Sequence, residues 1–177
     1  MVPAGRVHVL DANGISLFRA AGLLANLGHA AVTVRMAVVE EVHAELTRKG
    51  APDAAALRVW QGWQHIKVEP LPARGSMADT LKALRSTRQP GNLRDMGEHA
   101  SIAWAVHTRG AVFVTHDQKA TVTAVREKVE VMTSHGFVQC LQETGLLMPD
   151  ECRRLSTTER GFRDCAPTWW AGWLAGI

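Results

Sequence analysis

Several carboxylates sit where apolar elements would otherwise run on. The apolar stretch VHVL at 7–10 stops on Asp11, and AVFVT at 111–115 gives way to His116 and Asp117. Glu41 borders the apolar face of AVVEEVHAEL, three residues after Val38 and four before Glu45, while Glu40 points about 100° away and reads as solvated. Asp95 and Glu98, in RDMGEHASIAWA, are three apart, which puts both on one face of a helix. Gly97 between them removes side-chain bulk where something could approach closely. An unpaired buried carboxylate is costly, so a cluster of this kind calls for a cation. Oxygen donors suit Mg2+ or Mn2+, which keep several waters and take up substrate phosphate oxygens. Without the cation the like charges repel, and at least one carboxyl should have a raised pKa. Phosphodiester hydrolysis uses such a cluster: the cation activates a water and stabilises the attacking and leaving oxygens.

These residues need elements to hold them. Residues 7–11 and 111–115 read as buried strands, 66–71 as an alternating strand, and 31–34 and 129–132 as short strands. Helices are expected at 15–27 with Gly28 as C-cap, at 36–48, and at 53–63 with Asp53 as N-cap. Further helices are expected near 76–86, at 95–109 up to Gly110, at 119–126, and from 134 onward with breaks near Pro149 and Pro167. Alternating strands and helices predict an α/β fold, an α/β/α three-layer sandwich with a central, mostly parallel sheet. In such sheets ligands bind outside the carboxyl ends of the strands, which is where Asp11 and Asp117 fall. Each acid also has a plain structural reading: Asp11 as an N-cap, Glu41 as a surface helix residue, Asp95 and Glu98 as first-turn acids favoured by the helix dipole.

The motifs together resemble those of the PIN-domain nucleases. A strand ends in Asp-x-Asn, Asp11-Ala12-Asn13; a helix carries a Glu, Glu41 in VVEEV; Gly97-Glu98 opens a helix with Ala100, Ala103 and Ala105; a strand ends in Thr-x-Asp, Thr115-His116-Asp117. Order and spacing match over roughly residues 6 to 120. The resemblance implies a metal-dependent ribonuclease that hydrolyses RNA through Mg2+ or Mn2+. Asp11, Glu41, Glu98 and Asp117 would be its metal-binding acids, with Asp95 a fifth candidate and Asn13, Thr115 and His116 in support. Bacterial members are often toxins of toxin–antitoxin pairs, which implies an antitoxin as partner. Gly14 stands where an aliphatic residue is usual, and His116 where Asp or Arg is common.

The 177 residues suit a PIN-like domain over 1–133 and a helical C-terminal extension over 134–177 packed on it. That extension holds Trp169, Trp170 and Trp173, read as a packing or homodimer anchor. The net charge of +3 and pI of about 9.0 permit an anionic partner. Lys82, Arg85, Arg88 and Arg94 surround the STRQPGN loop and are candidates for contact with RNA phosphates. Cys140, Cys152 and Cys165 are odd in number, fit no metal knuckle and point to a reducing cytoplasm. No apolar run approaches the roughly 18 residues of a membrane span, and no signal-peptide h-region opens the chain. A haloacid-dehalogenase-like phosphatase needs a second Asp where Asn13 stands, and a response-regulator-like switch needs a late Lys that is missing. A non-catalytic PIN-like binding module would not need the full acid set.

Overall fold

Three runs of apolar, mostly β-branched side chains form the middle of a sheet: β1 (Val7–Leu10), β2 (Met36–Val39) and β4 (Ala111–Thr115). Every residue in all three is buried, so both faces of the sheet are covered. The computed structural model describes residues 5–51, 54–86, 96–158 and 166–177. The outer strands are β3 (Lys67–Glu69) and β5 (Glu130–Thr133), which are only partly buried. The order is β3-β2-β1-β4-β5 and every pairing is parallel. The result is a three-layer α/β fold.

The helices are α1 (Ala12–Ala20), α2 (Leu24–Thr33), α3 (Glu40–Thr47), α4 (Ala54–Arg58), α5 (Ser76–Ser86), α6 (Met96–Val106), α7 (Gln118–Arg126), α8 (Ser134–Glu143), α9 (Pro149–Thr157) and α10 (Thr168–Ala175). A 3-10 turn covers Gln61–Gln64. Pro149 is the first residue of α9, where its missing N–H costs nothing, and Pro167 caps α10. Among the described residues, no helix is long and apolar enough to cross a membrane.

The sequence expectations need correction at four places. Residues 31–34 are not a strand: all but Val34 belong to α2. The strand is Met36–Val39, the first part of the helix expected over 36–48. A four-residue apolar run has no period long enough to separate strand from helix, and pairing with β1 decides it. The helix expected at 15–27 is two helices, because Gly22 takes the left-handed φ of +69° that ends α1. Gly28 is no C-cap; it is buried within α2, against the Gly62 backbone. The helix expected over 53–63 is α4 followed by the 3-10 turn. The expected N-cap Asp53, the STRQPGN loop beyond Ser86, Asp95, Arg88, Arg94 and Cys165 lie outside the described residues.

The extension is continuous with the core. Cys152, Leu155 and Trp170 belong to the same buried cluster as Val9, Leu10 and Phe113. Trp170 stacks on Trp173 at 4.6 Å and meets the His135 ring edge-on at 4.7 Å.

One buried group gives the fold a pH dependence. His8 lies on the central strand, 1% exposed, with its ring 5.4 Å from Phe137. Burial holds its pKa below the ordinary 6.5, so the folded protein keeps the ring neutral. The unfolded chain binds the proton first, so this contribution is complete above pH 6.5 and is lost as pH falls toward the depressed value. His8→Leu is expected to flatten the fall in stability just below pH 6.5, measured by urea titration across that range.

Candidate functional site

The chain steps from β1 to β2 in one direction, and β4 lies on the opposite side of β1. The strand order therefore reverses between β1 and β4, and a crevice opens outside their carboxyl ends at such a switch point. Leu10 pairs with Val114, so Asp11 and Thr115 leave the two strands side by side. The Asp11 backbone N–H still donates to the Val114 carbonyl at 3.3 Å, extending the ladder by one residue.

Asp11 is 1% exposed. Its Oδ1 accepts from the Gly14 N–H at 2.6 Å, which makes it the N-cap of α1. Its Oδ2 accepts from the Thr115 hydroxyl, also at 2.6 Å. The Thr115 oxygen in turn accepts from the Asp117 N–H at 3.1 Å, so this hydroxyl ties the two strand ends together. Burial pushes the Asp11 pKa up; the bonds from Thr115 and Gly14 and the nearby His116 favour its charged form, and Asp117 disfavours it. Gly14 has a steric reason as well. A Cβ there would stand 3.2 Å from Asp11 Oδ1, so an aliphatic residue would crowd the capped carboxylate.

Asp117 is the N-cap of α7, its Oδ1 accepting from Lys119 N–H at 2.7 Å and Ala120 N–H at 2.9 Å. The capping reading of Asp11 thus holds, and Asp117 caps α7 in the same way. Capping alone does not account for a charge at Asp11, because Asn or Ser caps as well without burying an anion. His116 is half-buried, with Nδ1 3.2 Å from the Ser134 hydroxyl. Asn13 is exposed in the first turn of α1.

Because β2 ends at Val39, α3 starts at the same edge, and Glu41 lies in its first turn rather than within a longer helix. Glu40 is exposed. Glu41 turns Oε1 toward Arg85, at 3.9 Å from Nη2, while its Oε2 is buried without a hydrogen-bond partner. One turn on is Glu45, which was not singled out from sequence. Its Oε2 lies where a Cβ on Gly97 would come within 3.2 Å of it, and Val42 Cγ2 would come within 2.8 Å. Packing there pushes the Glu45 pKa up, Arg48 pulls it down, and the charge of Asp11 adds to the rise. The signal was its spacing of four from Glu41, which places both on one helix face. Something does approach Gly97 closely, and it is α3.

The helix α6 leads directly into β4, so its first turn, which carries the half-buried Glu98, sits at this carboxyl edge. Lys82 is exposed on α5. Among the described residues, no three His, Cys, Asp or Glu side chains stand close enough to share one metal ion. The donor chemistry still matches a hard cation: carboxylate oxygens at one edge, one of them buried without a partner. No family model and no curated protein matches the chain.

Proposed function

We propose that the protein is a PIN-like, metal-dependent endoribonuclease acting at the carboxyl edge between β1 and β4. The observation that carries the reading is Asp11: a carboxylate 1% exposed at the switch point, with the charge of Asp117 pressing on it and its own charge pressing on Glu45. Such a group costs stability at neutral pH unless it takes up a proton or a cation offsets it. No three of the described acids stand close enough to share one ion, so Mg2+ or Mn2+ would be held by at most two of Asp11, Glu41, Glu45, Glu98 and Asp117, with waters completing its shell, and Asp95 is a further candidate from sequence. When bound, the cation supplies an activated water and offsets charge on the phosphate oxygens. The chain's own groups do the rest. Thr115 fixes the Asp11 carboxylate by its hydroxyl, Gly14 leaves room for it, and the capped helix termini hold both aspartates in register.

The substrate class is RNA, in keeping with the excess of basic residues and the resemblance of the motifs. The same resemblance supports a toxin working in the cytoplasm against an antitoxin partner. The test is cleavage of single-stranded RNA with Mn2+ and with EDTA, next to Asp11→Asn. Cleavage that needs the metal and Asp11 is expected. Cleavage that persists in EDTA, or hydrolysis of a small phosphomonoester with RNA left intact, would overturn the reading.

A further inference from the structure

The carboxyl edge has an excess of negative charge, and a phosphodiester brought to it meets repulsion. Arg85, in the last turn of α5, reaches an acid of this edge. Its contact with Glu41 is loose. At 3.9 Å the two charges attract but lie beyond hydrogen-bonding distance, and the Arg85 side chain remains 39% exposed against 25% for Glu41. The guanidinium fork makes no hydrogen bond to a described residue, and its side chain is exposed to solvent. A planar fork of this kind matches two oxygens of a phosphate, which a point charge on Lys does not.

Resting on the ribonuclease reading, we infer that Arg85 is a positioning residue that takes a phosphodiester of the RNA strand, and that Glu41 holds it at the edge until the strand arrives. Glu41 is suited to this because its two oxygens are divided: Oε1 faces Arg85 and Oε2 is buried. The pair keeps a long, flexible side chain near the site, so less freedom is lost when the phosphate binds.

The probe is a short fluorescein-labelled single-stranded RNA, its binding followed by anisotropy at several KCl concentrations without added metal. Arg85→Gln is expected to weaken binding about tenfold. It should also reduce the slope of log affinity against log salt by about 0.7, the value of one phosphate contact on a single strand. In the Mn2+ cleavage assay KM should rise by a similar factor, with kcat within about twofold. Arg85→Lys should keep the salt slope and recover part of the affinity. Arg126→Gln, an exposed charge at the far end of α7, should change neither. An Arg85→Gln protein that binds like wild type, or whose kcat falls while KM holds, overturns the inference alone. Wild-type protein that binds and cleaves no RNA overturns the ribonuclease reading, and the inference with it.

Discussion

If the protein is the proposed ribonuclease, Asp11→Asn is expected to lower RNA cleavage by more than about 100-fold, beyond what an outer supporting residue supplies, and nonetheless to raise the melting temperature above wild type at neutral pH. Asn keeps the α1 cap, because its amide oxygen accepts the Gly14 N–H as the carboxylate does. What it removes is the buried charge; its NH2 group then donates to the Thr115 oxygen, reversing the bond that the Thr115 hydroxyl makes to Oδ2. The folded-state pKa of Asp11 is raised above the ordinary 3.8, so its neutral form is the one the fold favours. Its contribution is complete below pH 3.8 and is lost as pH rises through the raised value. The stability gap between variant and wild type should therefore be small in acid and full at neutral pH. Its size is read on a scale of about 2–4 °C per kcal/mol for a chain of this length. Saturating Mn2+ should raise the wild-type melting temperature and leave the variant unmoved; binding at 100 times Kd is worth about 2.7 kcal/mol. A variant that melts below wild type at neutral pH, or gains equally from Mn2+, would show that Asp11 serves the fold and not a cation.

Trp170→Ala is expected to destabilise the protein by about 3–5 kcal/mol, a fall of roughly 6–20 °C in melting temperature. Trp170 is 3% exposed and joins α10 to the core through His135, with Trp173 stacked beside it and Trp169 edge-on at 5.7 Å. Removing it empties the volume of an indole where α10, α9 and α8 come together. Trp169 is 45% exposed, and Trp169→Ala should change stability by no more than about 1 kcal/mol. Guanidinium titrations of both variants measure the difference. Equal, small losses would mean that α10 is an appendage rather than part of the core.

The strands β1 and β4 were legible because both are short, largely apolar runs that stop on polar residues. The capping role of Asp11 was legible because it stands immediately before a helical pattern, whereas that of Asp117 emerged only from the structure. β2 was not: MAVV continues without a break into EEVHAEL, and nothing local separates a buried strand from the first turn of a buried helix. With the helix drawn from residue 36, Glu41 looked like its inward acid. With the helix starting at Glu40, both Glu41 and Glu45 come to the carboxyl edge, and it is Glu45 that feels Asp11.

The sequence by itself determined the class of fold and the polar strand ends, because residue pattern and helix caps act over a few neighbouring positions. It also marked Gly14 as unusual without saying why, and Gly97 as a point of close approach without saying what approaches. Tertiary structure alone decided the rest. Parallel pairing of Leu10 with Val114 brings Asp11 beside Thr115, more than a hundred residues away, and their hydrogen bond spans that separation. The approach of α3 to α6 gives Gly97 its purpose, and the Asp11 carboxylate gives Gly14 its own. The contact of Arg85 with Glu41 likewise joins α5 to α3. These facts depend on distances between segments remote in the chain, and no local pattern of residue types encodes a distance of that kind.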